Sequence, residues 1–333
     1  MNPHACQINS DWQSILARAV CDPAELCRRL GLSTEGVDLD TDFPMQVPEP
    51  FLSRIEPGNP TDPLLLQVLP RKEELDASPE FTTDPVGEVK TLSPDGTLSK
   101  YRGRSLIVTG QTCGVHCRFC FRRHLPLCSS KNSGSEPSLS DPDRVAAHFE
   151  ADPTLHEAIL SGGDPLALED EQLGLLVDRL DRIEHLRRMR IHTRLPIAIP
   201  QRITDRLVEI LACGRTRRVI VLHVNHPNEL DAEVARAMTR LAQSGAILLS
   251  QSVLLRGIND TEPVLAELFE RLIDLGITPY YLHQLDRVAG ATHFEVDPDI
   301  GRALIAQLRN RLPGYAIPRY VREIPGAPGK SLL

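Results

Sequence analysis

From residue 105 onward the chain alternates short apolar runs with amphipathic stretches of helical length. The runs 105–109, 158–161, 189–193, 219–224, 246–252 and 278–283 are brief, rich in Val, Ile and Leu, and bounded by polar residues, so they are predicted to be strands. Segments 144–150, 171–183, 204–212, 232–244, 262–275 and 300–312 carry apolar residues at helical spacing. The resulting βα rhythm implies a parallel sheet with helices outside it. Six units are too few for an eight-stranded closed barrel, so the expected form is α/β, an open partial (β/α)6 barrel. A doubly wound sheet is the alternative that periodicity leaves open.

The placement of polar groups favours the barrel. Cys113, Gly163-Asp164, Arg194, Asn225-His226, Gln251 and Asp286 each fall at or just after the end of a predicted strand. In parallel α/β folds those carboxyl ends converge on the ligand site. The first hundred residues differ. Residues 11–32 read as amphipathic helix, with Asp22-Pro23 marking a fresh helix start. The following stretch to Lys100 is rich in Pro, Gly, Asp and Thr, which suits turns and short helices wrapped over another body. The expected division is therefore a mainly helical extension, 1–99, and a catalytic body, 100–333. Residues 129–143 are Ser/Gly/Pro-rich and read as a mobile loop.

Composition narrows the function. The chain has 333 residues, 41% hydrophobic and 25% charged, as expected of a soluble globular protein. A net charge of −8 argues against a broad nucleic-acid footprint. No run approaches the roughly 20 apolar residues of a membrane span, and the first residues lack the layout of a secretory signal. A reducing cytoplasm is the compartment this points to. Of the eight cysteines, Cys6, Cys21, Cys27, Cys128 and Cys213 are scattered without ligand-like spacing.

The other three are not. Residues 112–123 read Thr-Cys-Gly-Val-His-Cys-Arg-Phe-Cys-Phe-Arg-Arg, spacing Cys113, Cys117 and Cys120 as C-x3-C-x2-C in the loop after the first predicted strand. Thiolates are soft ligands suited to iron–sulfur clusters, zinc or copper(I). Structural zinc sites and ordinary electron-transfer clusters want four protein ligands, and only His116 and His124 stand nearby as a fourth. A Cys3His zinc site in a non-catalytic binding protein is the competing reading. A cluster on three cysteines leaves one iron open to a small molecule.

The spacing resembles the signature of the radical S-adenosylmethionine superfamily. Ser161-Gly162-Gly163-Asp164-Pro165 is similar to the segment that meets the cofactor's methionyl amino group there, and His226 and Gln251 fall at later strand ends that surround it. Taken alone, Asp164 would read as the cap of a tight βα turn. Further motifs resemble lysine 2,3-aminomutase: Cys120-Phe121-Arg122-Arg123-His124, Pro200-Gln201-Arg202-Ile203-Thr204, Asn225-His226-Pro227-Asn228-Glu229 and Leu254-Leu255-Arg256-Gly257-Ile258-Asn259-Asp260.

That resemblance implies a 4Fe-4S cluster on the three cysteines, S-adenosylmethionine on its open iron, and pyridoxal 5′-phosphate (PLP) joined to Lys330 in Pro325-Gly326-Ala327-Pro328-Gly329-Lys330. It implies Lys100, Tyr101 and Arg104 as the phosphate clamp, Arg122 for the substrate carboxylate, and Asp286 and Glu323 for the distal ammonium of L-lysine. Glutamate-specific enzymes would be repelled by acids in those two places. A one-electron reductant such as flavodoxin or ferredoxin is implied as well. Gly58-Asn59-Pro60-Thr61-Asp62-Pro63-Leu64 and Phe81-Thr82-Thr83-Asp84-Pro85 resemble the short bacterial members that supply (R)-β-lysine for elongation factor P and its ligase. A catabolic enzyme releasing free β-lysine is the alternative.

Overall fold

The computed structural model describes residues 12–125 and 141–333, so Cys6, Cys128 and most of the expected 129–143 loop lie outside it. Nine strands form one sheet among the described residues: β1 (Thr97–Tyr101), β2 (Arg104–Val108), β3 (Glu157–Ser161), β4 (Arg188–Thr193), β5 (Arg217–His223), β6 (Ile247–Leu254), β7 (Thr278–Gln284), β8 (Arg319–Arg322) and β9 (Ser331–Leu332). They lie in strict chain order. Neighbours from β2 to β8 are parallel, and β1 and β9 add antiparallel edges. A doubly wound sheet turns back at a switch point, and this order never does.

The sheet is also strongly curled. Tyr101 at the end of β1 donates its hydroxyl to Glu323, just past β8, at 2.5 Å. Seven strand spacings in a flat sheet would hold those residues about 34 Å apart. The result is an open, barrel-like wall in which the edge strand β1 faces the segment beyond β8.

All six predicted strands are present within a few residues of their expected limits. A seventh parallel strand, β8, extends the expected six. It escapes sequence reading because it is four residues long, with arginine at each end. The helices Pro142–Ala151, Asp170–Asp181, Asp205–Ala212, Ala232–Ala242, Glu262–Asp274 and Pro298–Arg311 link the strands. Side chains of Asp141, Thr204, Asp231 and Asp297 accept backbone N–H bonds at four of their N-termini, as short polar residues do there.

The extension folds onto this body. Helices Trp12–Ala17 and Pro23–Leu30 are separated at Asp22, whose carboxylate accepts from Ala24 N at 2.9 Å. One continuous apolar cluster runs from Trp12, Leu26 and Phe51 through Ile107 and Leu222 to Tyr320. The extension thus shares its core with the sheet and helices.

Candidate active site

Cys113, Cys117 and Cys120 line a cavity of about 310 Å³ that also receives side chains from both ends of the sheet. Their loop is shaped from outside by the extension. Gln46 donates to Cys113 O at 2.6 Å, while Gln46 O and Gln67 O accept from His116 N and Arg118 N. Arg118, fully buried between the second and third cysteines, donates twice to Glu74 at 2.7 Å. Arg123 donates to the same carboxylate at 2.6 Å, and both guanidinium groups stack over Phe43. Burial alone would raise the pKa of Glu74; the two guanidinium groups outweigh it and hold the carboxyl below its usual range.

The two nearby imidazoles are turned elsewhere. His116 Nδ1 sits 3.0 Å from Pro44 O, and His124 Nε2 2.9 Å from Ala289 O. Among the described residues no three His, Cys, Asp or Glu side chains gather around a single-ion position. What the three thiols share is the cavity wall.

The Gly162-Gly163 turn closes against the cysteine loop. Gly163 N donates to Gly110 O at 2.6 Å and Asp164 N to Thr112 O at 2.8 Å. A Cβ on Gly163 would stand 2.6 Å from Thr112 O, and Gly162 has φ +107°, so only glycine fits this approach. Asp164 is committed within the chain. It accepts from Thr193 Oγ1 (2.7 Å), Arg194 N (2.7 Å), Leu195 N (2.8 Å) and Leu166 N (3.0 Å). Its burial outweighs these donors and raises its pKa. It joins the ends of β3 and β4, while the backbone of Gly162-Gly163 faces the cavity.

Arg194, after β4, donates to Cys117 Sγ at 2.7 Å, Gln67 Oε1 at 2.6 Å and Glu229 Oε2 at 2.9 Å. Burial would lower its pKa, but the Cys117 sulfur and Glu229 outweigh that and raise it. Glu229 also accepts from Asn225 N and His226 N, which accounts for much of the Asn225–Glu229 motif as a tight polar turn. His226 closes the same turn by accepting from Asn228 N, and it is not among the cavity-lining residues; His223, on β5, is. Gln251 and Ser161 also line the cavity.

At the opposite wall Lys330 donates to Glu323 Oε2 at 2.7 Å, while Tyr101 holds the other oxygen. Lys100 Nζ bonds Val86 O at 3.1 Å, 3.3 Å from Glu88 and 3.7 Å from Glu323. The Arg104 guanidinium stacks on the Tyr101 ring at 4.8 Å. Asp286 faces the same space. Burial pushes its pKa up to about 7, with Lys330 opposing and Glu323 adding to the rise. Arg122 is gripped by Glu88 through Nε at 2.7 Å and Nη2 at 2.9 Å, and its Nη1 reaches Ser161 Oγ at 2.9 Å. Glu88 therefore already takes two of the three nitrogens of this guanidinium.

Sequence reasoning passed over Glu88, Arg190, His223, Tyr280, Tyr281 and His283, all of which line the cavity. A signal existed. Along β4 and β6, fully buried positions alternate with partly buried ones, and the partly buried set includes Arg190, His192 and Gln251. Polar residues on the inner face of a sheet whose other face is covered by helices mark a ligand-filled interior. His192 and His223 are kept neutral by burial, with nearby cations adding to the effect; His223 falls to about 3.

No family model matches the chain. Curated relatives do. It is 44% identical to the L-lysine 2,3-aminomutase of Escherichia coli K12, across 97% of this chain and 94% of that protein. The enzyme of that name from Haemophilus influenzae is 42% identical over 97% and 95%. The chain belongs to the L-lysine 2,3-aminomutase family. The Clostridium subterminale member is 35% identical over 84% of this chain and 66% of its own length. A solved radical SAM methyltransferase from Sphaerobacter thermophilus aligns over 68% of each chain at 20% identity and a TM-score of 0.47, which adds nothing to the assignment.

The family is one of isomerases whose chemistry calls for an iron–sulfur cluster and S-adenosylmethionine. The site's donor set fits that demand. Three thiols face one cavity, a cation is fixed against one of their sulfurs, and a glycine pair presents bare backbone beside them. No helix among the described residues is long and apolar enough to cross a membrane.

Proposed function

We propose that this chain converts L-lysine to β-lysine, moving the amino group from the α- to the β-carbon. In this reading Cys113, Cys117 and Cys120 hold a 4Fe-4S cluster, and Ser161, Gly162-Gly163 and Gln251 border S-adenosylmethionine. Lys330 carries PLP, whose phosphate faces Lys100, Tyr101 and Arg104. Bound there, these groups supply a hydrogen-abstracting radical and a carbonyl that carries the migrating nitrogen.

The observation that carries the proposal is the meeting of Asp286, Glu323 and Lys330 with the three cysteines in one cavity. Two carboxylates in a space sheltered by Phe119, Phe121, Val253 and Leu285 suit a substrate with a second ammonium. Glu323 is already paired with a primary amine, that of Lys330, at 2.7 Å. Arg122 orients the α-carboxylate, and Glu88 fixes the direction of its fork. The apolar side chains of the cavity limit water beside the reactive species.

Anaerobic incubation of the iron-loaded protein with L-lysine, S-adenosylmethionine, PLP and dithionite, followed by chromatographic separation of the isomers, tests this. β-Lysine is the expected product. A protein holding about four irons per chain and PLP, yet forming none, refutes the proposal. The further destination proposed is elongation factor P, with (R)-β-lysine as the product and flavodoxin or ferredoxin as reductant. It is supported by the resemblance of residues 58–64 and 81–85 to the short members. Deletion of the gene should remove the β-lysyl mass from elongation factor P, whereas a purely catabolic enzyme would leave that mass in place.

A further inference from the structure

Arg194 combines two features that the substrate reading does not use. Its charge touches a cysteine sulfur, and the chain holds it there rigidly. Nη1 meets Cys117 Sγ, Nη2 is shared by Gln67 and Glu229, and the backbone N is fixed by Asp164. The guanidinium carbon lies 5.5 Å from the Phe51 ring centroid and 5.9 Å from that of Phe119. Its Nε is buried without a hydrogen-bond partner among the described residues. The side chain is only 7% exposed and Glu229 is fully buried, so water does little to screen the charge.

We infer that Arg194 sets the reduction potential of the cluster on Cys113, Cys117 and Cys120, by donating to the Cys117 sulfur from a charge anchored on Glu229 and Gln67. The inference rests on those cysteines holding the cluster. Reduction adds one electron, delivered by a low-potential one-electron donor, to a group already surrounded by thiolates. No protein bond breaks, and the cluster becomes more negative by one charge. A fixed cation and an N–H···S bond both favour the more negative state, so both raise the potential. Arginine suits the task because it does not release its proton. Glu229 binds the other arm of the guanidinium and partly offsets its charge. The two residues therefore act in opposite directions.

The test is a redox titration of anaerobically reconstituted protein without S-adenosylmethionine, using dithionite with mediators and reading the reduced cluster by electron paramagnetic resonance. At the potential that half-reduces the wild type, Arg194→Gln should lower the reduced-to-oxidised ratio at least tenfold, a downward shift of about 59 mV for one electron. Arg194→Lys keeps the charge without the fork and should fall between. Glu229→Gln keeps an acceptor for Asn225 and His226 while removing the offsetting charge, and should shift the midpoint upward. Iron content and circular dichroism matched to wild type show that each variant is folded. If Arg194→Gln fails to hold iron, the other two variants decide, and unchanged midpoints in them overturn the inference. A wild type that binds no cluster sinks the reading of the cysteines instead; a loaded wild type with unmoved variants sinks only the role of Arg194.

Discussion

Replacing Glu74 by glutamine should loosen the cysteine loop without touching any residue of the cavity wall. The carboxylate takes three short hydrogen bonds, two from Arg118 and one from Arg123, and the side chains of all three residues are less than a tenth exposed. Glutamine keeps one acceptor oxygen but turns an NH2 group toward guanidinium hydrogens and leaves two buried cations without their shared anion. Removing one partner of a buried ion pair costs about 3–5 kcal/mol. A chain of this size has an unfolding entropy of about 0.7 kcal/mol/K, so the melting temperature should drop by about 4–7 °C. Salt should not rescue it, because buried pairs are poorly screened. Glu74 also ties the extension to the residues flanking Cys120, so iron should be lost faster in a chelator challenge. Differential scanning calorimetry and iron retention measure the two effects. A Glu74→Gln protein that melts within 1 °C or so of wild type and keeps its iron equally long would show that the extension merely covers the loop.

Alanine at Cys113, Cys117 or Cys120 should abolish both iron binding and turnover, and full activity in any one of them would remove the cluster assignment. Lys330→Ala should eliminate the visible absorbance of the PLP–lysine linkage while iron content stays at the wild-type level; persistence of the band would assign the anchor to another lysine. Asp286→Asn and Glu323→Gln should weaken lysine binding by ~2–5 kcal/mol, read as a raised KM with cofactor spectra intact. Wild-type KM in both would sink the ammonium site. Asp286 also predicts a pH effect. Its pKa rises to about 7 in the fold, so its contribution to folding is most favourable below pH 4 or so and is lost as pH climbs through 7. Lysine binding runs the other way, since the ionised carboxylate attracts the ammonium, and KM should fall between pH 6 and 8. Asp286→Asn should flatten that profile.

The sequence made the architecture legible wherever an element had a period to read. Strands β2 to β7 alternate or run apolar over five to eight residues, and the helices between them carry clear apolar faces. Strands β8 and β9, four and two residues long, have too few positions for any pattern. Strand β1 ends in the cationic run Lys100–Arg104, which is the hairpin turn into β2, with Gly103 at φ +75°. The site divides in the same way. Contiguous motifs such as the cysteine loop and Gly162-Gly163 announce themselves. Glu88 and Glu74 sit in the irregular extension, and only folding brings them against Arg122 and Arg118. Within one motif, sequence singled out His226, whereas chain geometry sends His223 to the cavity and uses His226 as a cap.

The contact between the two ends of the curled sheet has a consequence of its own. Tyr101, Lys100, Glu323 and Lys330 fasten β1 to the segment beyond β8 through side chains, and no backbone ladder joins β1 to β9 among the described residues. A seam of this kind parts without sacrificing a single sheet hydrogen bond. Its stitches are also the groups expected to grip phosphate, aldehyde and ammonium, so each arriving ligand competes with a stitch. A ligand that took over those groups would loosen the wall at this seam and leave the backbone ladders of the sheet intact.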